Sequence, residues 1–259
     1  MRVVPAKNGW KWLLKGFDLF RRSAAMWLFL VITYWIGVAM LGQIPYVGLA
    51  VSTALLPAFS VSFMAMCAAV DAGGALQPAL LFSGFRRVPA RMLALGVLYL
   101  VSIVGVLATA SVADAGALLQ WVVFGREPAL ETLRGGSVSQ ALMLAAVAGT
   151  PVLMAFWFAP VLAAWGEMGA AQSLFYSFFA VWRNWRAFCV YGAMLALAGI
   201  ALLTAVTLAA VVMHGQIQAL RFLALVLTLL TLPIVFGSFY ASYRDIFPES
   251  AVPADMPAS

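Results

Sequence analysis

Residues 222–243, FLALVLTLLTLPIVFGSFYASY, run between Arg221 and Arg244 without a single Asp, Glu, Lys, Arg or His. A helix rises ~1.5 Å per residue and needs roughly 20 apolar residues to cross ~30 Å of hydrocarbon. This stretch therefore reads as a transmembrane span. Working back towards the N-terminus, residues 187–212, 140–165, 92–112, 47–70 and 24–44 meet the same test, and the two longest have room to tilt. A membrane barrel would instead need ~10-residue strands of alternating polarity. The expected fold is all-α, with six transmembrane helices in a single integral membrane domain over residues 1–247.

Composition agrees. Of 259 residues, 65% are hydrophobic and 9% charged, whereas a soluble domain keeps about a quarter of its residues charged. Outward-facing side chains must then be apolar, and lipid is the surroundings that accept them. The first span is full-length and runs into a second, so it reads as an uncleaved helix rather than a signal peptide. The tail over residues 248–259 is polar and proline-bearing, which predicts disorder.

Basic residues sort by side. With six spans, one side gathers Arg2, Lys7, Lys11, Lys15, Arg21, Arg22, Arg86, Arg87, Arg91, Arg183, Arg186 and Arg244. The other holds Arg126, Arg134 and Arg221, together with Asp114, Glu127 and Glu131. Positive charge stays in the cytoplasm, so both termini are expected there, in a bacterial inner membrane. The net charge of +6 then reflects orientation and anionic headgroups and gives no reason to expect nucleic acid.

Each cytoplasmic segment before an odd-numbered span has the pattern of a short amphipathic helix lying at the interface. In the first, Trp10, Leu13, Leu14, Phe17 and Phe20 share one face, against Lys11, Lys15, Asp18 and Arg22. In the third, Leu174, Phe175, Phe178 and Trp182 lie opposite Ser173, Ser177 and Asn184. The second, from Pro78 to Arg87, is shorter and less regular. Phe20-Arg21-Arg22 and Tyr34 recur as Phe85-Arg86-Arg87 and Tyr99, while Asp71, Gly73, Arg87 and Gly96 align with Glu167, Gly169, Arg183 and Gly192. Prolines fall only in the even-numbered spans, at Pro57, Pro151, Pro160 and Pro233. The pattern predicts three parallel hairpin repeats, each an interfacial helix, a rising span and a kinked returning span; chance identity is the competing explanation. The sizeable outer segment, about residues 113–139, is expected to cap the outer surface, with an apolar stretch over residues 118–124.

Candidate sites are few. Asp71 with Arg87, and Glu167 with Arg183 and Arg186 nearby, read either as ion locks or headgroup notches, or simply as charges flanking spans. The plainer reading is preferred, since exposed ion pairs contribute ~0–1 kcal/mol. Trp165, Trp182, Trp185, Tyr240 and Tyr243 suit an interfacial aromatic belt. Small residues every fourth position (Ala50, Ala54, Ala58, Ser62; Ala155, Ala159, Ala163; Ala201, Ala205, Ala209) suit close helix packing. The prolines mark kinks, which transporters use to build substrate sites, though nothing charged accompanies them. Cys67 and Cys189 have no metal-ligand spacing and read as packing residues, and His214 sits in a tight outer loop. No catalytic motif is present and the spans carry no ionisable residue, so neither enzymatic activity nor a cofactor is expected.

Asn8-Gly9-Trp10, the stretch Phe178-Phe179-Ala180-Val181-Trp182-Arg183-Asn184-Trp185-Arg186-Ala187-Phe188, and Tyr191-Gly192 together resemble a family of proteobacterial six-helix inner-membrane proteins of uncharacterised role. The repeat style is also similar to the membrane domain fused to some glycerophosphodiester phosphodiesterases. The first resemblance implies fold and location. The second implies no activity, because the phosphodiesterase motifs are missing here. Two functions remain as expectations: a non-enzymatic protein of envelope organisation or lipid-linked homeostasis, and a small transporter or exporter of an uncharged or amphipathic solute. Membrane lipids are the expected partners, with a second copy of the chain or other membrane proteins as further candidates.

Overall fold

A computed structural model describes residues 1–45, 47–128, 132, 135–212 and 216–248. Glu131, Arg134, His214, the side chain of Arg221 and the tail beyond Pro248 lie outside the described residues.

The described residues form helices and no strand. In chain order they are α1 (Asn8–Arg22), α2 (Ala24–Gly42), α3 (Val47–Asp71), a 3-10 turn (Pro78–Phe82), α4 (Ser83–Arg87), α5 (Pro89–Asp114), α6 (Ala117–Phe124), α7 (Ser137–Trp157), α8 (Ala159–Trp165), α9 (Ala170–Arg183), α10 (Trp185–Val212) and α11 (Ile217–Ile246). Six stretches are long and apolar enough to cross a membrane: α2, α3, α5, α7 with α8, α10, and Phe222–Ile246 of α11. They overlap the six spans read from hydropathy, with bounds that differ by up to three residues. Their surfaces are apolar, with Leu203, Val211 and Val212 of α10 among the most exposed side chains. Exposed threonines in these helices are self-satisfied: the hydroxyls of Thr33, Thr109, Thr204 and Thr228 each donate to the carbonyl four residues earlier. Hydrocarbon demands that economy, because no water is there to accept the bond.

Helix ends follow local chemistry. Pro89 opens α5, where its missing N–H costs nothing. Ala115 and Gly116, both at positive φ, stop α5 and restart the chain as α6. After α3, Gly73 takes a φ of +81° and donates its N–H to the Val70 carbonyl. Three helices end in arginine one residue before a span begins: Arg22-Ser23-Ala24, Arg87-Val88-Pro89 and Arg183-Asn184-Trp185. Ser23 and Val88 share a φ of −146°.

The chain falls into two compact units whose boundaries lie inside α2, α3, the 3-10 turn and α9. The first unit comprises Met1–Trp35, Ser62–Leu81 and the described residues from Ala180 on; here α1 packs along α11 and against α10. Its interior holds Trp27, Leu30, Phe63, Met64 and Met66. The second unit comprises Ile36–Val61 and Phe82–Phe179, with α5 running against α7 and α8. One of its clusters joins Ala58, Val61, Met92, Leu95, Ala159 and Ala163, and another joins Leu107, Ala110, Leu118 and Ala141. Two of the three small-residue rows therefore serve packing, as does Gly96, on which a Cβ would lie 1.9 Å from the Ala54 carbonyl oxygen. The third row is not so used: Ala201 and Ala205 are exposed.

Candidate functional site

Unit 1 gathers most of the motif residues around α1. That helix has three faces rather than two. Gly9, Trp12, Gly16 and Leu19 are buried, Trp10, Leu14 and Phe17 are exposed, and Lys11, Lys15, Asp18 and Arg22 form the polar side. The glycines decide how closely α1 sits. A Cβ on Gly9 would lie 2.3 Å from the Ala187 carbonyl oxygen of α10, and one on Gly16 would lie 2.3 Å from that of Ile234 on α11. Backbone meets backbone there, which is how membrane helices gain dispersion energy where lipid removes any hydrophobic drive.

Trp12 fills the space between. Its ring packs at 5.2 Å from Phe188 and 5.9 Å from Tyr191, and its indole Nε1–H donates to Asp245 Oδ2 at 2.9 Å. Asn8 Nδ2 donates to the same oxygen at 2.7 Å, and the Arg2 guanidinium pairs with the other. The arm ahead of α1 is tied on as well. Arg2 N–H donates to the Ile246 carbonyl at 2.8 Å, while Asn184 accepts the Val4 N–H at 2.8 Å and donates Nδ2 to the Arg2 carbonyl at 3.1 Å. Asp245 thus collects three donors, and one carboxylate joins the start of the chain to the end of the last span.

A second polar node lies further along α1. Lys15 Nζ is 2.6 Å from Asp71 Oδ1 at the end of α3, and the Tyr240 hydroxyl of α11 donates to Asp71 Oδ2 at 3.2 Å. Asp18 receives Arg21 and Arg22 on the same face, and hydrogen bonding from Arg21 first of all holds its carboxyl below the ordinary carboxylate range. Of the charges singled out from sequence, Asp71 therefore works with Lys15. Arg87 ends α4 in the other unit. Glu167 is exposed between α8 and α9 at a φ of +53°. Arg183 is exposed at the end of α9, and Arg186 lies over the Trp185 ring at 5.6 Å.

The expected polar face of α9 is turned inward. Ser173, Ser177 and Asn184 are buried, whereas Phe175, Tyr176, Phe179 and Trp182 are exposed. Ser177 has a particular task. The chain breaks at Phe158 between α7 and α8, ahead of Pro160, and there Ser177 Oγ accepts the Phe158 N–H at 2.8 Å and donates to the Met154 carbonyl at 2.8 Å. A hydroxyl from another helix replaces the missing rung of the backbone ladder, a recognised cause of helix kinks. Arg91 Nη1 reaches the Ala163 carbonyl near the end of α8, at 3.4 Å. Pro57 and Pro233 are buried inside α3 and α11, and Pro151 is exposed inside α7. Tyr240 and Tyr243 are buried, so only Trp182 and Trp185 of the expected belt are fully turned outward.

Sequence reading did not single out Trp12 or Asp245. One signal was available: Asp245 is an acid in the last turn of a helix, where the macrodipole disfavours negative charge, so it calls for donors.

The chain is 34% identical over 254 residues to a protein of Burkholderia thailandensis described as a probable inner membrane protein; the match covers 94% of this chain and 92% of the relative. No family model matches the chain, and no solved structure does.

Proposed function

Because the chain belongs to the same family as the Burkholderia thailandensis inner membrane protein, we propose that it is a non-enzymatic, multi-pass inner-membrane protein that organises lipid at its cytoplasmic side. One observation carries the reading: α1 turns Trp10, Leu14 and Phe17 outward and α9 turns Phe175, Tyr176, Phe179 and Trp182 outward, while Gly9, Gly16, Ser173 and Ser177 lie inward. Such an inverted pattern suits lipid around the helix and protein behind it. Lys7, Lys11, Arg183 and Arg186 are exposed beside these aromatics, a composition that suits anionic headgroups. Both termini are cytoplasmic in this reading, by the distribution of arginine and lysine.

The threefold repeat belongs to the same proposal. Its supports are the three arginine-ended helices one residue before a span, and the equivalent tyrosines. Tyr34 meets Phe63 of the returning span edge-on at 5.3 Å, and Tyr99 meets Phe156 in the same manner at 5.1 Å. A solute-transport reading rests on the proline-bearing spans, and it draws less support at the α7–α8 break, where Ser177 takes up the Phe158 N–H and the Met154 carbonyl.

Native mass spectrometry after mild detergent extraction tests the lipid reading. The wild-type chain should retain phosphatidylglycerol or cardiolipin, and Arg183→Ala with Arg186→Ala should lose it. Equal retention by both proteins would remove the proposal.

A further inference from the structure

In unit 2, at the end where α5 stops and α7 starts, a cleft of about 510 Å³ opens beside α6. Its lining includes Asp114, Gln120, Arg126, Glu127, Thr132 and Ser137. The volume lies within the range of small-molecule sites, and the charges in it are mixed. Asp114 is buried and held in place, its two carboxylate oxygens accepting the N–H groups of Gly116 at 2.9 Å and Leu118 at 2.6 Å. Glu127 and the Gln120 amide make no side-chain hydrogen bond or ion pair among the described residues. Arg126 has no carboxylate partner there either; its guanidinium lies 5.8 Å over the Phe124 ring. The wall next to the cleft is apolar, with Trp121, Val122 and Phe124 of α6 exposed.

We propose that this cleft binds a phosphoethanolamine zwitterion, its phosphate on Arg126 and its ammonium between Glu127 and Asp114. The charge balance selects that chemistry. Among the described residues of the lining, two carboxylates against one guanidinium repel a purely anionic head, whereas a simple cation leaves Arg126 without a counter-charge. A molecule carrying both signs answers both needs, and guanidinium is the side chain best shaped for phosphate. The exposed face of α6 points to a phospholipid as the source: eight residues are too short to span the bilayer, yet their aromatics suit the boundary where headgroup meets acyl chain. The cleft also lies at the ends of two spans, and span ends are where a bilayer presents its headgroups. The site is separate from Arg183 and Arg186, so it stands or falls independently of the lipid reading above.

The experiment offers the detergent-purified full chain an equimolar mixture of phosphatidylethanolamine and phosphatidylglycerol and reads retained lipid by native mass spectrometry. In parallel, soluble O-phosphoethanolamine is titrated calorimetrically. Expected are preferential retention of phosphatidylethanolamine, about tenfold weaker retention in Arg126→Gln, and a preference moved towards phosphatidylglycerol in Glu127→Gln. Both residues are exposed, and an unchanged thermal midpoint shows that the variants fold. Arg126-dependent binding of soluble O-phosphoethanolamine as tight as that of the lipid would assign the site to the free zwitterion, with the same chemistry. No preference between the two lipids together with no calorimetric heat, or full retention by Arg126→Gln, overturns the proposal.

Discussion

Gly16 and Gly237 face each other where α1 crosses α11: a Cβ on Gly237 would lie 2.8 Å from the Gly16 Cα. Neither position has room for a methyl group, and the clash on each side is with backbone, which cannot swing aside. The crossing seats the first helix of the chain on the last one, and it brings Trp12 within reach of Asp245.

Gly16→Ala should therefore lower stability by about 1–3 kcal/mol through overpacking, and Gly16→Leu should abolish recovery of monodisperse protein. Gly192→Ala is the control, since open space surrounds that glycine. Fluorescence-detected size exclusion with a temperature ramp reads all three. Equal behaviour of Gly16→Ala and Gly192→Ala would mean that α1 does not sit this close.

Asp245→Ala should cost about 1–3 kcal/mol, because the Trp12 indole and the Asn8 amide lose their acceptor, while the exposed Arg2 guanidinium returns to water. Trp12→Phe removes one bond and keeps most of the ring, so its cost should be nearer 1 kcal/mol. In a double-mutant cycle the two effects should be less than additive. Strict additivity would disprove the contact.

Ser177→Ala leaves the buried Phe158 N–H without its acceptor, at a cost of about 1–3 kcal/mol. Amide exchange should accelerate at the α7–α8 break and stay unchanged at Ser173→Ala, whose hydroxyl bonds only within its own helix, to the Ala170 carbonyl. If exchange at residue 158 did not respond, Ser177 would not be the missing rung.

Topology reporters fused after Gln43 and after Pro248 should report opposite compartments. Alkaline phosphatase should be active at the first site and green fluorescence strong at the second. A fluorescent fusion at Gln43 would reverse the orientation proposed from the basic residues.

Much of the fold was legible because its signals are local. The six spans could be read from runs such as residues 187–212, where the sum of side-chain transfer energies decides whether a segment enters hydrocarbon, whatever its neighbours are. The site was less so. From sequence Ser177 and Asn184 read as a polar face at an interface, because on one helix a polar stripe facing water looks the same as one facing protein. Lipid outside reverses the usual sense of an amphipathic helix: the aromatics go outward and the hydroxyls in.

Taken alone, then, the order of residues determined that this chain has six helices apolar enough to cross a membrane, with bounds good to about three residues, since hydrophobic burial adds up along a segment and needs no knowledge of what lies beside it. Which acid meets which donor was decided only by the tertiary structure. Asp71 found Lys15, and Asp245 found Trp12, Asn8 and Arg2. Partners more than fifty residues apart are chosen by the way helices cross, and that crossing depends on where glycine lets two backbones touch.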